Sequence, residues 1–317
     1  MARYDWPPLP VGDPAEGARL MGEAMQQAWD DLEAERIRVA ESLTMGRKEL
    51  VNATLLEFQD AMDRFREDIS YHLERFAALH LSPQYLAGIQ QGGGLPVWTT
   101  LHAAAFTALA IDTYEDFLQR SVAAGQTGEE FAKAVRTASR KELPKIAAGN
   151  RTARQAGRAL QDRLIADYSI THVTYRDGSR VSAKLYSEMV ARTKSAVAYN
   201  AGTLNEVYAN GGEYVEVFDG SDCGWTDHGS SDKANGTIRT LDEAAMNPIS
   251  HPNCQRGFGP RPDVTSTAQA KKAQASTTPE QRADQEAIDY NPGREAMTSR
   301  PRSLVRDRRQ AARAARG

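Results

Sequence analysis

Val51, Leu55, Phe58, Met62, Phe65, Ile69, His72 and Phe76 follow one another in unbroken steps of four and three residues. That alternation averages 3.5 residues and keeps a narrow apolar stripe on one helix face. Charged residues fill the positions between, among them Glu57, Asp60, Asp63, Arg64 and Glu67. A stripe this regular has to be covered. Two coverings are open. One is the preceding segment, where Met21, Met25, Ala28 and Leu32 repeat a four-three-four spacing, folded back near Thr44 to Arg47. The other is a second chain, in which case the seam is a contact surface for a partner. His72 sits at a seam position and reads as a tolerated polar core residue rather than a ligand.

The rest of the chain continues the helical pattern up to a point. Residues 1–13 are proline-rich and read as an extended arm. Gln90 to Pro96, with three consecutive glycines, is a breaker and hinge candidate. A helix follows over 97–123. Thr127 and Glu130 have the spacing of a capping box, which predicts a new helix ending near Leu143, before Pro144. Another helix is expected from Arg151 to Tyr168. Then the period changes: Ile170 to Tyr175 and Val181 to Lys184 flank Asp177-Gly178, a hairpin signal. A helix from Leu185 to Asn210 ends at Gly211-Gly212, and Tyr214 to Phe218 reads as a strand. The fold class is therefore mostly α with a small α+β C-terminal module. The expected organisation is an arm (1–13), a helical domain (14–150), an α+β module (151–262), a disordered linker (263–292) and a basic tail (293–317). Aromatic residues are 7% of a chain that is 40% hydrophobic, so the core is expected to be Ala-, Leu- and Val-rich. Two cysteines exclude a disulfide scaffold. The longest apolar stretch, Ala103 to Ile111, is too short to span a bilayer, so no membrane partner is expected.

Both cysteines and two of the six histidines fall between 223 and 254. They form two pairs, Cys223-x4-His228 and His251-x2-Cys254. Short-spaced ligand pairs joined by a longer loop are the plan of a structural zinc site. An ion there would organise a segment with few apolar residues. Asp222 and Asp227 are substitute oxygen ligands. The alternative is two free thiols and two surface histidines.

Four stretches carry a family resemblance: Val173 to Met189 with the hairpin; Ala191-Arg-Thr193 with Ala198-Tyr-Asn200; Asp219 to His228 with Ala234-Asn-Gly236; and Pro248 to Arg256. Together they resemble the phage minor capsid family (phage minor capsid protein 2) and, more distantly, the MuF-like head morphogenesis proteins. The last two stretches are the most specific. His228 stands where many MuF-like members have a second cysteine, and Gln255 where an arginine commonly follows the last one. The resemblance covers about a third of the chain. It implies a structural, non-enzymatic minor head protein of a tailed bacteriophage. Such a protein acts at the portal or capsid interior, with portal and capsid or scaffold proteins as partners. Its expected location is the virion, and the host cytoplasm during assembly. The seam of helix 51–76 is the candidate surface for portal or scaffold contact. The enzymatic alternative is a zinc-dependent nuclease or a head-maturation protease. No nucleophile–base pair can be named for the protease, and no helix carrying a third nuclease motif is evident after Cys254.

Two further groups follow from the residues. Arg192 and Asn200, eight apart, lie near one helix face and are expected to brace the cysteine loops through their donors. The last 25 residues hold eight arginines and two acids, a net +6 in a chain of net −3. Arg302, Arg306, Arg309, Arg313 and Arg316 would form one stripe on a helix and contact consecutive phosphates of double-stranded DNA; the alternatives are an acidic patch on a protein partner and a solvated, disordered end.

Overall fold

In the computed structural model, which describes residues 4, 6, 13–45, 47–147, 151–170, 172–175 and 179–276, all eight seam residues are buried. The first helix is their covering: α1 (Pro14–Thr44) folds back on α2 (Lys48–Phe76), and Trp29 meets Phe65 edge-on at 4.6 Å. The seam is thus core, and the expectation that it serves as a partner surface is corrected. His72 stays in the core because its Nδ1 accepts the indole N–H of buried Trp6 at 3.1 Å. Tyr4 similarly donates to Glu23 at 2.9 Å, so these two residues of the arm are docked.

The chain divides into two compact units. The first comprises Arg19–Glu74 and Asp116–Glu188, with Tyr4 and Trp6. The second comprises Arg75–Glu115 and the described part of Met189–Gly317, with residues 13–18. Both draw on the stretch expected as one helical domain and on the stretch expected as the module, because α1, α2 and two later long helices each contribute to both.

In the first unit α2 also packs on the C-terminal half of α4 (Thr100–Ala147), with Phe58 against Phe131 at 5.4 Å. Helix α4 corrects two expectations. It is one helix where two were expected, and it runs through Pro144. Thr127 is interior, its hydroxyl donating to the Ala123 carbonyl at 3.1 Å instead of capping. Gly128 lies against Met62 and Phe58, and Phe131 and Val135 are buried. Burial along that row outweighs a local stop signal worth ~1 kcal/mol. Helix α5 (Arg151–Asp167) follows, and buried Arg36 donates to its Leu164 and Ile165 carbonyls while pairing with Glu33. Strands β1 (His172–Thr174) and β2 (Arg180–Ser182) pair antiparallel, Val173 opposite Val181. The Asp177-Gly178 turn between them lies outside the described residues.

In the second unit a π-helical turn (Ala77–Leu81) leads into α3 (Ser82–Gln91), which crosses α6 (Ala183–Ala209) with backbones touching. A β-carbon on Gly202 would overlap the Tyr85 carbonyl, and one on Gly88 the Tyr199 carbonyl. Helix α6 ends at Gly211, whose φ of +76° lets the Gly212 N–H return to the Val207 carbonyl at 2.9 Å. Strand β3 (Tyr214–Phe218) then enters an antiparallel sheet between β4 (Ile238–Thr240) and β5 (Gly257–Pro260). Leu204, Val207, Val215, Val217, Trp225 and Phe258 form its core, closed by the short helix α7 (Leu241–Met246).

Residues 263–276, expected within a disordered linker, are ordered. Helix α8 (Thr267–Ser276) packs Ala270, with Val264 before it, on Tyr214 and Ile238. Two small apolar side chains suffice because a sheet edge is there to receive them. The remainder of the linker and the whole basic tail, including Arg302, Arg306, Arg309, Arg313 and Arg316, lie outside the described residues.

Candidate metal centre

Strand β3 ends at Phe218, and the chain turns through Asp219-Gly220 into a loop with little apolar content. Its backbone is tied to itself: Cys223 N–H to the Gly220 carbonyl at 3.0 Å, Ala234 N–H to the Cys223 carbonyl at 3.0 Å, and Trp225 N–H to the Asp232 carbonyl at 2.6 Å. Asn235 closes it by accepting the Asp219 N–H at 3.1 Å. These bonds turn the Cys223 side chain inward, where it is buried.

The second arm is 248–256, held from α6. Asn200 donates through one amide nitrogen to the Pro248 carbonyl at 2.9 Å and the Arg256 carbonyl at 2.7 Å. Arg192 donates to Asn253 Oδ1 at 2.6 Å, and the Thr193 hydroxyl accepts the Asn253 N–H at 3.2 Å. Asn253 needs these ties because its φ of 59° lies in the left-handed region. Both residues read from sequence as braces therefore bond to this loop.

The two arms bring Cys223, His251 and Cys254 together. Their ligand atoms all lie within 4.8 Å of one another, and all three residues are buried. His251 Nδ1 is 2.8 Å from the Pro252 carbonyl, which assigns its proton there. Its Nε2 lone pair then faces Cys223 Sγ at 3.4 Å. This is the arrangement of a metal-binding histidine, with the distal N–H held by a carbonyl. The three residues could hold a metal ion.

His228 stands outside that group, a correction to the four-residue set. It is half-buried, with its ring 5.3 Å from the His251 ring. Asp222 and Asp227 are exposed, because the loop turns both outward. The carboxylate that does reach the cluster is Asp219, 3.6 Å from Cys254 Sγ.

Asp219 is paired with Arg256, the most enclosed cation of the unit. Arg256 donates to Asp219 Oδ2 at 2.7 Å, to the Trp225 and Asn247 carbonyls at 2.9 Å each, and to the Gly224 carbonyl at 2.7 Å. Its guanidinium also lies 4.9 Å from the Trp225 ring. One side chain thus ties strand end, first loop and second loop together. Electrostatics follow from the geometry. A bond from the Cys223 thiol, helped by Arg256, holds Cys254 well below the usual thiol range. The same bond, burial and Asp219 push Cys223 up. Burial, then the Cys254 charge, push Asp219 up to about 6 against the pull of Arg256. One thiolate beside one thiol is a pair ready to exchange its proton for a cation.

Asp219 and Arg256 belong to the stretches that carry the resemblance, but their chemistry was not legible. A buried arginine has no sequence periodicity. The one available signal was an Asp-Gly directly at a strand end, in a segment too poor in apolar residues to fold by packing. A cavity of about 550 Å³ adjoins the centre, lined by Arg192, Tyr199, Phe218, Cys254 and Gln255. No helix among the described residues is long and apolar enough to cross a membrane. Compared with protein-family models, curated proteins and solved structures, the chain matches none of them.

Proposed function

We propose that the chain is a structural minor head protein of a tailed bacteriophage, acting in head morphogenesis at the portal or capsid interior, with a structural zinc ion in its C-terminal module. The observation that carries the reading is the convergence of its two most specific stretches. Residues 219–228 and 248–256 meet in one buried centre through Cys223, His251 and Cys254.

Zinc suits the donors. A tetrahedral zinc ion needs a sulfur and a nitrogen ligand about 3.6 Å apart, and Cys223 Sγ and His251 Nε2 are 3.4 Å apart. Two sulfurs and an imidazole favour a soft or borderline cation. Asp219, 3.6 Å from Cys254 Sγ, and His228, its ring 5.3 Å from the His251 ring, are the further donors beside the three. The burial of all three ligands supports a structural ion, and a fourth protein donor would complete the four-ligand plan of such sites. The basic tail from Gly293 would reach packaged DNA, with portal and capsid or scaffold proteins as the protein contacts.

The test is quantitative mass spectrometry of purified particles, counting this chain per capsid. A few copies per DNA-filled particle are expected. Absence from both filled and empty particles overturns the virion assignment. Elemental analysis of the purified chain tests the ion separately. One zinc per chain is expected, lost in Cys254→Ser, and a chain purified without any bound metal would overturn it.

A further inference from the structure

The cations of the chain are unevenly distributed even without the tail. Residues 133–163 contain nine basic side chains (Lys133, Arg136, Arg140, Lys141, Lys145 and four arginines from Arg151 to Arg163) and two acids, Glu142 and Asp162. That is a net +7 in a chain of net −3. The stretch covers the end of α4 and most of α5 (Arg151–Asp167), both within the first unit.

Four of these cations share one side of α4, and a fifth, Arg163, stands across a groove from two of them. Lys133, Arg136, Arg140 and Lys141 fall within an arc of about 140° on α4, at 100° per residue. They span about 12 Å of axis at 1.5 Å per residue. Between α4 and α5 lies a groove of about 630 Å³, lined by Lys133 and Lys141 from one helix and Arg163 from the other. All five side chains are exposed, and among the described residues none has an ion pair or hydrogen bond. Two other exposed arginines of this unit are engaged instead: Arg66 with Asp63 and Glu129, Arg38 with Glu35 and Glu57. Five like charges left together repel one another, and an anionic partner relieves that.

The groove also carries Glu130 and Asp167. The contact of Phe131 with Tyr168, ring centroids 6.0 Å apart, puts both acids at the same end. The other end, toward Lys141, is free of acids among the lining residues. Tyr168 is occupied by Phe131, so the groove offers no aromatic platform for unstacked bases. It presents point charges on a rigid helical frame, which suits a regular row of phosphates.

We infer that this face of α4 and α5 binds the phosphodiester backbone of a nucleic-acid duplex without reading sequence. The inference is independent of the virion assignment and of the basic tail. It uses a different part of the chain.

The test is fluorescence anisotropy of the full chain with a 30-base-pair DNA duplex, the matching RNA duplex and a polyglutamate peptide, from 50 to 200 mM salt. The groove variant is Lys133→Gln/Lys141→Gln/Arg163→Gln. A tail variant, Arg306→Gln/Arg309→Gln/Arg313→Gln, is run beside it. Three lost phosphate contacts reduce the log–log salt slope by about 2.7. The affinity advantage of the unaltered chain over the groove variant then shrinks about 40-fold across that salt range. This loss should appear with or without the tail changes, and the duplex held more tightly identifies the nucleic acid. The substituted residues are exposed, so an unchanged circular dichroism spectrum should accompany it. An unaltered slope and affinity in the groove variant overturns the inference. Loss of polyglutamate binding with duplex binding intact also overturns it, and makes the face a dock for an acidic protein segment.

Discussion

Replacing Arg256 with methionine keeps most of the side chain's length and apolar stem while removing its charge and donors. Four acceptors lose their partner: one carboxylate oxygen of Asp219 and the carbonyls of Gly224, Trp225 and Asn247. Removing one member of a buried ion pair costs about 3–5 kcal/mol, because the other charge is left behind. Each unsatisfied carbonyl adds up to about 1–3 kcal/mol, but the losses overlap, since opening the loop once admits water to all of them. The expected total is therefore about 4–6 kcal/mol, confined to the second unit. Two units make a single global transition an unsafe readout, so the assay must be local. The Val217 amide is bonded to the Thr237 carbonyl at 2.9 Å, in the strand that leads into Asp219. Its hydrogen exchange should accelerate by at least ~100-fold, at tenfold per 1.4 kcal/mol. The Phe58–Phe131 region of the first unit should be unaffected. Arg256→Lys should recover less than half of the loss, because an ammonium cannot address four acceptors arranged around a planar fork. If Val217 exchanges within threefold of its normal rate in the methionine variant, or if lysine restores it fully, then the hydrogen bonds of Arg256 do not hold the two loops together.

Two other predictions follow from the same packing. In metal-free protein, Asp219 binds its proton more tightly folded (about 6) than at its ordinary value of 3.8, a gap of ~3 kcal/mol. The sign is that of a raised group: ionised Asp219 costs stability above pH 6, and the cost is relieved as pH falls toward 4. The unaltered chain should thus gain on Asp219→Asn between pH 7 and pH 4 in denaturant titrations with chelator, and a difference that is flat with pH refutes the coupling. Gly202→Ala should lower the melting temperature by roughly 5 °C or more, since the added methyl meets the Tyr85 carbonyl and overpacking costs about 1–3 kcal/mol or above; an unchanged melt means that α3 and α6 can part cheaply.

The clearest local signals were legible in the sequence because their physics is local. A strict four-three alternation can only be a covered helical stripe, and 51–76 is one. Glycines after Asn210 end a helix because a left-handed residue there costs glycine nothing, and α6 ends at them. Cys223, His251 and Cys254 stood out because thiols and an imidazole at short spacing in a polar loop have few other uses. What remained hidden depended on neighbours distant in sequence. The Thr127 signal had the right residues for a cap. Only the burial of Phe131 and Val135 shows why the helix runs through it. Residues 263–276 lack the composition for a core of their own, and fold because the edge strand β4 offers one.

The sequence by itself determined the helical class, the stripe, the strand-and-loop change after residue 168 and the three residues that could hold a metal ion. Tertiary structure alone decided which helix covers the stripe, that Asp219 and not Asp222 meets the sulfurs, that Arg256 is the tie between the loops, and that Lys133, Lys141 and Arg163 line one groove. Periodicity along a chain reports which face of an element is apolar. Which polar side chain is buried, and against what, is set by desolvation and by partners that only the folded chain brings within hydrogen-bonding distance.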